Sequence, residues 1–223
     1  MVCAVMLVVL STAAWAGTIS APSSPPTANV IESYTFASDS SGQLSMSRAP
    51  SLNRVAGQSF KHDTPFTITA ITFDIYQINT ENPIPLTGTH VVQMALMEDT
   101  DENGDPDTQV GDIELFDAAG KEFKANEYVT FTLDSETAPL DANKMYSLQF
   151  WWTTDDAANR INARRSHDDP VNPYPNGALV TRTGIGDEDF PLGEGWLNTE
   201  GRDMPFVLQG NEVSAVDDWI MFD

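Results

Sequence analysis

The chain has 223 residues, with 33 Asp and Glu against 11 Lys and Arg, for a formal net charge of -22. That acidity runs along the whole length and excludes nucleic acid and anionic membrane as partners, because both require a concentrated positive field. The length suits one large all-β domain, and a single cysteine, Cys3, excludes a fold stapled by disulfides.

The first sixteen residues, MVCAVMLVVLSTAAWA, set a short apolar run before small residues ending at Ala14-Trp15-Ala16. This reads as a secretory signal cleaved after Ala16, although the basic start common in such signals is absent, and it is short for a membrane span. The mature chain then has no cysteine and no expected membrane span, and its stability must come from the core, which bound metal can assist. Residues 17–30 are rich in Ser, Pro, Thr and Ala and poor in apolar mass. They are expected to form a flexible spacer ahead of a single domain over 31–223.

From Ile31 onward the pattern has period two, the signature of half-buried strands. FTITAITFDIY starts with Phe66 and Ile68 inward and continues with Ile71, Phe73 and Ile75, so the phase slips by one at Ala70. A bulge or a bend produces such a slip. HVVQMALM puts Val92, Met94 and Leu96 on one face, and YVTFTLD does the same with Val129, Phe131 and Leu133. Further strands are expected at 34–37, 54–60, 113–116, 145–153, 178–182 and 204–209. No stretch of a dozen residues keeps a helical period with caps. The expected fold is an all-β, two-sheet antiparallel sandwich of jelly-roll type with almost no helix.

Between two of these strands lies EDTDENGDPD, Glu98 to Asp107. Counting Asp99 as position one, Asp101, Asn103, Asp105 and Asp107 fall at three, five, seven and nine, with Gly104 at six. Alternate oxygen ligands and a glycine at the sharp turn match a calcium loop, since a hard ion takes six to eight oxygens. Position twelve is Val110 and not a bidentate Glu, and the flanks read as strands. The loop is therefore either a calcium site carried on a hairpin, with Asp112 or a neighbouring carbonyl closing the shell, or a solvated Asn-Gly turn. Five like charges in nine residues repel unless neutralised, so the expected cofactor is structural calcium.

In KMYSLQFWWTT, alternation places Tyr146, Leu148, Phe150 and Trp152 in the core and Trp151 on the outer face. There Trp151 either stacks on a sugar ring or lies under a covering loop. The segment 159–177, expected to be irregular, gathers Arg160, Arg164, Arg165, His167 and Tyr174. Its arginines either hold carboxylate or sulfate groups of an acidic glycan or pair with Asp155, Asp156, Asp168 and Asp169 to fasten the loop. Tyr174 is expected to join Trp151 in an aromatic platform.

His167, Tyr174 and Arg165 are the residue types of a jelly-roll polysaccharide lyase. The Arg-rich and Tyr-Phe-Lys strands of the alginate-lyase kind are missing, however, and YQIN has Asn79 where that kind has His. No Gly-x-Ser-x-Gly, His-Glu-x-x-His or phosphate-binding glycine loop occurs.

RVAGQSFKHDTPFTITAITFDIY, VVQMALMEDTDENGDPD, PLDANKMYSLQFWW, YPNGALV and DMPFVLQG follow one another in this order. The succession resembles an exported bacterial β-sandwich domain found in PEP-CTERM-type surface proteins and similar to carbohydrate-binding modules. That group repeats a QSF strand, a D-x-x-G-x-P loop, an L-x-x-x-x-x-Y-x-L strand and a D-x-x-F strand. The ending NEVSAVDDWIMFD departs from it, with no Pro-Glu-Pro, apolar span or basic tail. The resemblance implies export, a sandwich fold and a polysaccharide or cell-surface glycan as partner. The expected function is a secreted, noncatalytic glycan-binding or cell-surface module. The alternatives are a surface or matrix structural protein without a small ligand and, third, a polysaccharide lyase or glycoside hydrolase.

Overall fold

The computed structural model describes residues 17–35, 42–46, 54–79, 90–124, 127–153, 160–166, 174–183, 190–192, 197–199 and 202–214. The expected signal at 1–16 lies outside them, as do His167, Asp155, Asp156, Asp168 and Asp169. In chain order the strands are β1 (Thr18–Ser20), β2 (Val30–Tyr34), β3 (Gly42–Met46), β4 (Arg54–Phe60), β5 (Phe66–Asn79), β6 (Val91–Asp99) and β7 (Thr108–Asp117). There follow β8 (Tyr128–Thr132), β9 (Met145–Trp152), β10 (Arg160–Arg165), β11 (Leu179–Thr183), β12 (Leu197–Thr199) and β13 (Phe206–Glu212). No helix occurs among the described residues, and none there is long and apolar enough to cross a membrane.

Two antiparallel sheets pack face to face as a β-sandwich. One has six strands in the order β12-β11-β4-β9-β6-β7. The other has seven and centres on the long β5, which pairs with β8, β13 and β10, while β1, β2 and β3 extend it. The period-two faces meet between the sheets. Phe73 of β5 and Phe131 of β8 close on Phe150 of β9 at centroid distances of 5.1 and 4.7 Å, and Phe131 also meets Phe116 of β7 at 5.2 Å. All four rings are fully buried, and burying a side chain of this size contributes about 1.5–3 kcal/mol.

The phase slip foreseen in β5 is a bulge. Against β13, Ala70 pairs with Gln209 and Ile68 with Gly210, so Thr69 has no partner on that strand. Its carbonyl instead accepts the N–H of Leu133 at 2.9 Å. The extra residue returns Ile71, Phe73 and Ile75 to the core side. Only glycine fits at 210, because a Cβ there would fall on the Thr67 carbonyl oxygen.

Two segment expectations are corrected. Thr18–Ser20, placed in a spacer, is an edge strand on β8 whose Ile19 is buried in the core; one apolar residue flanked by Thr and Ser suffices when it docks on a formed sheet. Residues 160–165, expected to be irregular, form β10 between β3 and β5. Ile161 and Ala163 enter the core from it, and only these two apolar positions betrayed the alternation.

Candidate metal centre

The turn joining β6 to β7 depends on two residues with positive φ, Glu102 at 54° and Gly104 at 95°. Glycine takes such a conformation without steric cost. Asp99, the last residue of β6, is buried and anchors the turn from within. Its Oδ2 accepts the Gly104 N–H at 2.8 Å and its Oδ1 the Asn103 N–H at 3.2 Å. Burial pushes the Asp99 carboxyl above the usual range despite those two donors. At the far end, Asp107 Oδ2 accepts the Thr100 hydroxyl at 2.6 Å, and its Oδ1 accepts the Thr108 hydroxyl at 2.7 Å. These hydroxyls, Thr100 first, hold the Asp107 carboxyl below its ordinary value.

Asp99, Asp101 and Asp107 each present an oxygen, and the three oxygens lie within 4.8 Å of one another. Calcium binds oxygen at about 2.3–2.6 Å, so two ligands of one ion stand at most about 5 Å apart. The triad therefore fits a single hard cation. The other two expected ligands, Asn103 and Asp105, are engaged differently in the turn. Asn103 braces the turn, donating from Nδ2 to Asp101 Oδ2 at 2.9 Å and accepting the Asp105 N–H on Oδ1 at 2.7 Å. Asp105 is exposed and lies outside the triad. Asp112 is not part of it either, since it sits on β7 beyond Val110, which pairs with Leu96.

Lysines neutralise the carboxylates beside the triad. Lys61 reaches Glu102 at 3.1 Å, and Lys144 bridges Glu98 at 3.1 Å and Asp141 at 2.8 Å. Removing lysine charge at these exposed pairs changes little, as such bridges contribute at most about 1 kcal/mol.

No protein-family model matches the chain, and no curated protein does either. The functional reading therefore rests on the residues themselves.

The expected aromatic platform is overturned. Trp151 does lie on the face opposite Trp152, as alternation requires, but it is only 2% exposed. Phe190 covers it at 5.5 Å between ring centroids, and Val55, Ala95, Met97 and Val180 complete a second apolar cluster on the outer face of the six-stranded sheet. Tyr174 belongs to the other cluster, between the sheets, against Tyr34 at 5.6 Å and Phe206 at 5.3 Å. Its hydroxyl is pushed up by burial and, secondarily, by Glu32. Every aromatic side chain described is buried except Tyr34 and Tyr128, which are half-buried.

The arginines lie on a strand. Arg164 Nε donates to Asp74 Oδ2 of β5 at 2.9 Å, with both side chains about one-fifth exposed. Burial raises the Asp74 carboxyl, and Arg164 opposes that rise. Arg165 is half-buried and reaches the Ser166 carbonyl. The backbone of Arg160 pairs with Asn79.

One buried network had not been foreseen. Asp203, 1% exposed, accepts Gln58 Nε2 on Oδ1 at 3.1 Å and the Tyr174 N–H on Oδ2 at 2.9 Å. Its own N–H donates to Ser166 Oγ at 2.8 Å, and Gln58 Oε1 accepts the Met204 N–H at 2.8 Å. The carboxylate thereby ties β4 to the Tyr174 segment, and the Asp203 N–H and Gln58 Oε1 extend the network to the end of β10 and the approach to β13. The D-x-x-F motif contained Asp203, but nothing local showed that its side chain turns inward.

Proposed function

We propose that the chain is a secreted, noncatalytic cell-surface module whose β6–β7 hairpin holds a structural calcium ion. The observation that carries this reading is the convergence of Asp99, Asp101 and Asp107 within 4.8 Å on a turn shaped by Gly104. The three negative charges repel one another, and a divalent cation would convert that repulsion into cohesion between β6 and β7. Calcium suits the site better than magnesium, which dehydrates reluctantly and demands a strict octahedron. The apolar run ending at Ala16 supports export.

Extracellular calcium modules bind at about 0.1–1 mM, and ligand at a hundredfold excess over Kd stabilises by about 2.7 kcal/mol. For a domain of this size that is a rise in Tm of about 5–10 °C. Scanning calorimetry in chelator and in about 10 mM calcium, a hundredfold excess at the tighter end of that range and about half the effect at the weaker end, measures it. Asp101→Asn should reduce the rise and magnesium should give less of it. The same Tm with calcium and with chelator would end the proposal.

Of the two surface roles, the structural one without a small ligand is better supported than glycan binding. Trp151 and Tyr174 are buried, and Arg164 is held by Asp74. A glycan array probed in calcium is expected to show no retention. Saturable binding of a neutral or acidic polysaccharide would restore the glycan-binding reading.

A further inference from the structure

Against β6, the strand β7 carries a large bulge. Met94 pairs with Glu114 and Leu96 with Val110, so Ala95 alone stands opposite Gly111, Asp112 and Ile113. Gly111 adopts φ 74° there, with open space where a side chain would project. Bulges of this kind re-aim side chains and recur beside functional sites. Here the bulge lies beside a cleft of about 230 Å³ between β7 and the segment that follows β8. Met94, Leu96, Val110, Leu133 and Leu148 supply its apolar lining, and Asp112, Glu114 and Glu136 its carboxylates.

Those carboxylates are not equivalent. Glu136 is committed to the Thr67 hydroxyl and to Asn211 Nδ2, the latter at 2.6 Å. Asp112 is exposed. Glu114 is only partly exposed, and its Oε2 is buried without a hydrogen-bond partner. A buried acceptor left unmatched is unfavourable, so this atom calls for a donor. An anion would be repelled. A hard metal ion would find an apolar wall where it needs six to eight oxygens. A neutral apolar molecule would leave Oε2 unmatched.

We propose that this cleft binds a short primary alkylammonium ion, its tail on the Leu96, Leu133 and Leu148 side and its charged head donating to Glu114. The volume is below that of pockets for drug-sized molecules and limits the occupant to a small amine. Burial, followed by Asp134 and Asp112, raises the Glu114 carboxyl, a state that an adjacent cation relieves.

The test is an NMR titration of the full chain with n-butylammonium chloride, following the methyl signals of Leu133 and Leu148. Sodium chloride is the ionic-strength control and n-butanol the uncharged isostere. Saturable shifts are expected with the amine, and with Glu114→Gln the apparent Kd should rise about tenfold or more. Asp112→Asn, at an exposed position, should weaken binding less. Equal shifts with n-butanol would overturn the proposal, as would a Glu114→Gln variant that keeps its affinity or an amine titration without saturation. A matching Tm for the variant and the parent excludes misfolding as the cause of lost binding. If calcium chloride alone moves the same methyl signals and Glu114→Gln abolishes that response, the site is a metal site and the proposal falls. Calcium acting on the Asp99 loop would leave these signals in place, so the two sites fail independently.

Discussion

Replacing Trp151 with alanine is expected to lower the unfolding free energy by about 3–5 kcal/mol, a large part of the 5–15 kcal/mol typical of a domain. The indole is 2% exposed and packed on Phe190, Val55, Ala95, Met97 and Val180. Its removal deletes the transferred surface and leaves a cavity that strands β4, β6 and β9, held by their hydrogen bonds, cannot collapse to fill. Trp151→Phe should recover part of the loss, because an aromatic ring still meets Phe190. Urea denaturation measures both variants, and unchanged m-values would show that the same surface is exposed on unfolding. A loss below about 1 kcal/mol, the usual effect of a surface change, would return Trp151 to solvent and reopen the stacking role.

The history of that residue shows how far periodicity reaches. Alternation is a local property of a strand, and it correctly separated Trp151 from Trp152. Whether the outer face is covered depends on a residue thirty-nine positions later, Phe190, and no spacing within the strand encodes it. The same division runs through the molecule. The bulge near Ala70 was legible because a hydrophobic phase slip is local. The acidic loop was legible for the same reason, and Asp99, Asp101 and Asp107 of its expected ligands converge, while Asp105 lies outside that triad. Strand β10 was missed because every position but Ile161 and Ala163 is polar or charged, so RINARR reads as a polar loop until β3 and β5 flank it. Gly111 did carry a signal, an isolated glycine within a strand pattern, and the cleft lies at that bulge.

Asp203 gives the second large effect, and its pH dependence separates two contributions. With Asp203→Ala, Gln58 Nε2 loses its side-chain acceptor and the Tyr174 N–H loses Oδ2, inside a region that is otherwise sealed. At about 1–3 kcal/mol for each buried group left unmatched, the expected loss is about 3 kcal/mol. Asp203→Asn keeps an acceptor for Tyr174 but turns an amide donor toward Gln58 Nε2. Gln58 cannot rotate to accommodate it, because its Oε1 holds the Met204 N–H. That conflict is a constant offset with pH. The charge behaves differently. Burial raises the Asp203 carboxyl above its ordinary value, outweighing the Tyr174 and Gln58 donors. The folded state therefore binds the proton more tightly than the unfolded state does. Stability from this group is complete below the ordinary value near 4 and falls as pH rises through the folded value, whereas the asparagine variant has no such slope. The deficit of Asp203→Asn relative to the parent should thus be largest near pH 4 and shrink toward neutrality, by about 1.4 kcal/mol for each pH unit between the two values. Other carboxylates titrate in both proteins and cancel in the difference. Urea midpoints for the pair between about pH 4 and 7 measure it, and a deficit that is flat or grows with pH would show that the buried charge is not the unfavourable element of the network.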